Sequence, residues 1–174
     1  GEERRSGSRC GEGETRAVAA GTGPCPSAAF ADLDTEGWYH PYTDAVIAKG
    51  LMQGTGHGYF QPERPTTRGM LVTTLYRLAG EPEITEPTTF QDVSEGRYFS
   101  DAIAWAEDVG IAKGITEKLF APDHAITREQ AVTLLCNYAK AQGLDVTGGS
   151  EDVLDGFADS GRISGWAKEA MIWA

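Results

Sequence analysis

Cysteine is scarce in this chain: Cys10, Cys25 and Cys136 are the only three in 174 residues. The number is odd and no C-x-x-C occurs, so neither a disulfide framework nor a zinc site is indicated. Spacing alone leaves a Cys10–Cys25 bridge open. His40, His57 and His124 stand apart without metal-ligand spacing, so no metal and no cofactor are expected. Long apolar runs are missing; nothing approaches the 18 residues of a membrane span, and no membrane insertion is expected. Basic residues are few, with 15 Lys and Arg against 26 Asp and Glu and a net charge of −11. That field repels nucleic acid and anionic lipid, so an anion could be held only by a local cluster of donors. No G-x-S-x-G, H-E-x-x-H or phosphate loop occurs, and no enzyme is expected. The chain opens at Gly1 without the basic segment and apolar core of a signal peptide, and reads as a fragment or processed chain.

What is present is repetition. Shifted by 60 residues, the chain overlays itself: Phe30-Ala-Asp32-Leu33 on Phe90-Gln-Asp92-Val93, Trp38-Tyr39 on Tyr98-Phe99, and Gly50-Leu51 on Gly110-Ile111. Gly54 falls on Gly114, Phe60-Gln-Pro62 on Phe120-Ala-Pro122, and Thr67-Arg68 on Thr127-Arg128. A third copy starts at Phe157-Ala-Asp159 and needs one extra residue before Trp166. The division is a flexible Gly-rich leader (1–28), a first repeat (29–80), a linker plus second repeat (81–142) and a linker plus truncated third repeat (143–174).

Each repeat reads as helix, long loop, helix. Ala102, Ile103, Trp105, Ala106 and Val109 form a helical stripe, closed by Gly110 in the left-handed position and Ile111 beyond it. Tyr42, Ala45, Val46 and Gly50-Leu51 do the same in the first repeat, with Pro41 in the first turn. Thr127-Arg-Glu-Gln130 is a capping box; Thr67 has Met70 where the box wants Glu or Gln, so a weaker cap is expected there. Val132, Leu135, Cys136 and Ala139 form the second-helix face, and Leu71, Leu75 and Leu78 its counterpart. Strand-type alternation never persists. Asp32, Asp92 and Asp159 read as caps of a turn or helix. Helix-loop-helix units of this size cannot bury their faces alone, so an all-α packed array is expected. Within it, Trp166, Ala170 and Trp173 should dock the third copy on the others.

Calcium is a rival reading of Asp32-Leu-Asp34-Thr-Glu36-Gly37, which opens like an EF-hand loop. Position 12 is Thr43 instead of a bidentate Glu, and the second copy also fails, so this reading is set aside.

The set Phe-x-Asp-Val/Leu, aromatic pair, Gly-Ile/Leu-x-x-Gly, Phe-x-Pro and Thr-Arg resembles the S-layer homology family. The resemblance covers residues 29–142 as two copies and 157–174 in part. It implies an all-helical, pseudo-threefold assembly around a central helical bundle. It also implies noncovalent anchoring of a bacterial surface protein to the cell wall, an extracellular location in the wall or S-layer, and a secondary cell-wall polysaccharide carrying pyruvate ketals as ligand. A cargo domain upstream of Gly1 fits that picture. Of the family's Thr-Arg-Ala-Glu motif, Thr67-Arg68 and Thr127-Arg128 survive and the Ala-Glu half does not. The ligand-binding candidates are therefore Arg68 and Arg128, with Thr67 and Thr127, and the aromatics Trp38, Tyr39, Tyr98, Phe99 and Trp166.

The chemistry stands beside the family. A pyruvate ketal presents a planar carboxylate that an Arg fork can bind bidentately, and a helix start adds amides and dipole. Sugar rings offer C–H faces that suit aromatics, although an aromatic at a helix start is more often core, and core is the favoured reading for these pairs. Trp105 and Trp173 read as core outright. The alternative to a glycan anchor is a structural or protein-interaction module without carbohydrate binding.

Overall fold

The computed structural model describes residues 25–174. These form two compact units, one ending at Arg64 and the other running from Pro65 to Ala174. Among the described residues there are five α-helices and no strand, only the isolated bridges Gly56–Tyr59 and Thr67–Ala125. The helices are α1 (His40–Ala48), α2 (Arg68–Leu78), α3 (Ser100–Asp108), α4 (Arg128–Ala141) and α5 (Lys168–Trp173). This is the all-α class expected, with two helices in each full repeat and one in the third. Cys10 and most of the expected leader lie outside the described residues. The leader's last residues are structured: Pro26–Ala29 is a 3-10 helix packed on α1, and Ser27 is fully buried.

The helix ends follow local chemistry. Gly50 and Gly110 take positive φ (68° and 73°) after α1 and α3, and Leu51 N–H closes the turn on Val46 O at 2.9 Å. Thr67 and Thr127 accept the N–H of Met70 (3.2 Å) and Gln130 (3.3 Å). Both boxes also close backward, onto Met70 Sδ at 3.5 Å and Gln130 Oε1 at 3.3 Å. The thioether is the poorer acceptor, so the α2 cap keeps the shape of the box with a weaker second bond.

The second unit carries the larger core. Val72 and Leu75 from α2, Ala102, Ile103, Trp105 and Ala106 from α3, and Leu134 from α4 pack with Phe90, Phe99, Ile111 and Phe120. Here α2, the second helix of repeat 1, packs on α3, the first helix of repeat 2. In the same way α4 of repeat 2 packs on α5 of repeat 3. Each pair joins consecutive repeats, so the first repeat read at 29–80 is divided between the two units.

Several stripes turn differently from their reading. Tyr42, Leu78, Val109 and Leu135 are exposed. On α4 the cause is two-sided packing: Leu134 enters the main core, while Cys136 and Ala139 form a second cluster with Val146 and Ala170. Leu135 falls between those two faces. Ala170 and the half-buried Trp173 dock the third copy on α4 as expected, but Trp166 does not join them. The α4–α5 contact is edged by Lys140 Nζ on Glu169 Oε1 at 2.7 Å.

Phe120 is the aromatic keystone of the second unit, wholly buried with its ring 5.5 Å from that of Phe90. Phe120→Ala should destabilise this unit by about 3–5 kcal/mol through lost burial and a residual cavity. Urea unfolding followed by Trp105 fluorescence measures it, and a loss below 1 kcal/mol would contradict the packing described.

Candidate functional site

In both full repeats an aspartate far back in the chain holds the long loop. The Asp32 carboxylate accepts the N–H of Phe60 at 2.8 Å and of Gln61 at 2.7 Å. The Asp92 carboxylate accepts the N–H of Phe120 at 2.8 Å and of Ala121 at 2.7 Å. The local cap expected of these residues is thus a long-range clamp. It holds Gln61 and Ala121 at φ 60°, a left-handed conformation costly for any residue with a Cβ. Gly54 and Gly114 complete the arrangement. A Cβ on either would lie 2.5 Å from the ring of Phe30 or Phe90, so only glycine lets the aromatic close over the loop.

The two Thr-Arg motifs end in different surroundings. Arg68 is 5% exposed. Its Nε donates to Phe120 O and its Nη2 to Lys113 O, both at 2.8 Å, and its Cζ lies 4.6 Å from the Phe120 ring centroid. Burial lowers the guanidinium's pKa from its ordinary value, and Asp92 opposes that drop. The amides expected to meet an anion at this helix start are occupied, Arg68 N–H by His124 O at 3.0 Å and Gly69 N–H by Pro122 O at 2.8 Å. The geometry corrects the reading of Arg68 as ligand-facing: it ties the start of α2 to the 113–125 loop, and Thr67 serves as its cap.

Arg128 is exposed, and among the described residues its guanidinium forms no hydrogen bond or ion pair. Beside it, Glu129 Oε1 accepts the N–H of Ser164 at 2.8 Å, which lays the third repeat's 160–167 segment against the first turn of α4. Trp166 lies two residues beyond that contact.

The aromatic pairs split by position. The first member stands out from the surface directly before the N-cap of the following helix: Trp38 is 84% exposed, Tyr98 56% and Trp166 59%. The second member is the N-cap itself and turns inward. Phe99 is 2% exposed and belongs to the core, which removes it from the ligand candidates. Tyr39 is half-buried, with its hydroxyl 3.3 Å from the Asp34 N–H that donates to it. In the third copy the N-cap is the fully buried Ala167. The core reading therefore holds for Phe99 alone: Tyr39 is half-buried outside the core clusters, and Trp38 and Tyr98 are exposed. A residue that sequence reasoning passed over is Arg97, exposed next to Tyr98, with its Cζ 5.1 Å from the Phe99 ring centroid and Nη2 3.9 Å from Asp123. No repeat signal marks it, since Gly37 and Gly165 precede Trp38 and Trp166.

A second cluster was also passed over. Cys25, His40 and Asp44 bring a sulfur, a ring nitrogen and a carboxylate oxygen within 4.8 Å of one another in the first unit. The i, i+4 spacing of His40 and Asp44 was legible; the return of Cys25 onto them was not.

A family model described as the S-layer homology domain matches residues 29–69 and 89–132, each match ending within or just past a Thr-Arg helix start. The chain is 28% identical over 135 residues to the surface-layer 125 kDa protein of Lysinibacillus sphaericus, across 78% of this chain and 11% of that protein. It is 30% identical over 119 residues to a surface layer protein of Brevibacillus choshinensis, across 62% of this chain and 10% of that one. It is also 25% identical over 152 residues to exoglucanase XynX of Acetivibrio thermocellus, across 83% of this chain and 13% of the enzyme. The chain thus spans roughly a tenth of the length of these relatives.

The Asp32 clamp carries a pH signature. The Phe60 N–H is the main cause holding this carboxyl below its ordinary 3.8; burial opposes, and the Gln61 N–H adds to the lowering. A depressed folded pKa gives stability that is complete above the ordinary carboxylate range and lost as pH falls through the folded value. On acidification below that range, the melting temperature of the parent should fall further than that of Asp32→Asn. Parallel slopes for the two would remove the clamp from the acid response.

Proposed function

The chain belongs to the S-layer homology family, and on that premise we propose that it anchors a bacterial surface protein noncovalently to the cell wall. Its place is extracellular, in the wall or S-layer. The ligand is a secondary cell-wall polysaccharide whose pyruvate ketals supply carboxylates. The module is a binding one, and the exoglucanase relative extends far beyond the 13% of its length matched here. A cargo domain upstream in the full-length protein fits this reading.

The observation that carries this reading is the recurrence of an exposed aromatic at one register in all three repeats, Trp38, Tyr98 and Trp166. An apolar ring held out from the surface loses hydrophobic burial unless something covers it, and a sugar's C–H face is a chemical match. Arg128 adds an uncommitted fork at a helix start, suited to a ketal carboxylate. The acidic remainder of the surface keeps other polyanions away.

A second reading, a structural module without carbohydrate binding, is favoured by Arg68, whose Thr-Arg motif is spent on packing. Binding to purified walls before and after removal of pyruvyl groups separates the two, with titration of a pyruvylated fragment as the quantitative measure. Trp38→Ala, Tyr98→Ala and Trp166→Ala should each weaken binding by more than about 1 kcal/mol with the fold intact. Arg128→Ala should lose about 1.5–3 kcal/mol of charge-assisted contact, and Arg128→Lys should recover only part of it. Affinities equal to the parent in all four alanine variants would leave the structural reading.

A further inference from the structure

In the first unit, Cys25 precedes the 3-10 turn, His40 is the first residue of α1, and Asp44 lies one turn further along the same face. Cys25 and His40 are buried. Cys25 Sγ lies 2.9 Å from His40 Nε2 and 3.3 Å from Asp44 Oδ2, and His40 Nε2 lies 3.1 Å from the same oxygen. The three donor atoms form a closed triangle. This is not the relay of a nucleophilic cysteine. A base in a triad receives the nucleophile on one ring nitrogen and the orienting carboxylate on the other, whereas here both meet Nε2.

One thiol proton and one Nε2 proton cannot point along three edges at once. A single cation at the centre can satisfy all three atoms. We propose that Cys25, His40 and Asp44 bind one divalent metal ion of the zinc class. Thiolate, imidazole and carboxylate together form a borderline-soft donor set that zinc takes, with the fourth corner left to water. Zinc–sulfur and zinc–nitrogen or –oxygen bonds of about 2.3 and 2.0 Å give tetrahedral edges of about 3.3–3.5 Å. The triangle reaches that size by opening about 0.2 Å on its two carboxylate edges and about 0.6 Å between sulfur and imidazole.

The surroundings are built to hold the carboxylate. Ser27, fully buried, donates its backbone N–H to Asp44 Oδ1 at 2.8 Å and its hydroxyl to the same oxygen at 2.5 Å. That ties Oδ1 to the 3-10 turn, with Cys25 Sγ 3.4 Å from it as well, and leaves Oδ2 to face both Cys25 and His40, as outer-shell donors do around metal ligands. The bound ion would fasten the Cys25–Ala29 segment to α1. Little else is buried on that helix to do this, since His40 is the one buried residue of α1.

The test uses the 174-residue chain, reduced and metal-stripped, with zinc and cobalt(II) chlorides as probes. One equivalent of zinc should bind, raise the melting temperature and release protons, with affinity rising as pH rises, because thiol and imidazolium must deprotonate. Cobalt should produce a near-ultraviolet thiolate-to-cobalt charge-transfer band. Cys25→Ser should abolish that band and weaken zinc binding at least tenfold, and Ser27→Ala should weaken it about 10–100-fold. Glu63→Gln, at an exposed carboxylate outside the cluster, should change nothing. Absence of the cobalt band overturns the proposal, as does zinc uptake undiminished in Cys25→Ser, which would mark general binding by an acidic surface. Finding Cys25 in a disulfide in the protein as first purified would overturn it as well.

Discussion

A carboxylate that accepts two consecutive backbone N–H groups from a loop 28 and 29 residues away is the constraint on which each full repeat depends. The bond is charge-assisted at both amides, so it is stronger than an ordinary loop contact. It permits what would otherwise be strained, a non-glycine residue at φ 60° immediately after a buried phenylalanine. With the loop turned that way, Phe120 enters the core and its carbonyl faces Arg68. The same loop then presents Pro122 O and His124 O to the first amides of α2. One clamp therefore positions an aromatic core residue, the partner of a buried guanidinium and the covering of a helix start.

Repeat coupling follows from that geometry. Arg68 belongs by sequence to the first repeat, yet its hydrogen-bond partners belong to the loop of the second. The helix pairs α2–α3 and α4–α5 obey the same rule, each uniting the end of one repeat with the start of the next. A helix-loop-helix segment with one apolar face gains little by folding back on itself when the following segment offers a complementary face. Glu107 adds a smaller tie of the same kind. It accepts from the Thr88 hydroxyl and from the hydroxyl and N–H of Thr89, and so fixes the segment entering repeat 2 against α3.

Exposed surface and packing surface are divided within single dipeptides. At the start of each first helix, one residue closes the helix from inside while the residue before it projects outward, as in Tyr98-Phe99 and Trp166-Ala167. Successive side chains at a helix entry point in different directions, so two adjacent aromatics cannot both be core. The exposed member is available for a ligand because its neighbour already satisfies the packing.

The repeats, the helix count, the Thr caps and the glycine stops were legible in the 174 residues. They are local or periodic, and the 60-residue offset multiplied each signal. The identity of the aromatic register was legible too. Which aromatic of each pair faces out was not, because that depends on where the neighbouring helix lies. The direction of Arg68 was likewise beyond the sequence. A Thr-Arg at a helix start has the same local preferences whether its fork meets solvent or a loop 45 to 52 residues on, and only the path of that loop decides. The same holds for Cys25. Its distance in sequence from His40 and Asp44 resembles no metal motif, and a 3-10 turn laid against α1 brings the sulfur to within 2.9 Å of the imidazole. Local chemistry is written along the chain, whereas donors that converge from separate segments exist only once the chain has packed.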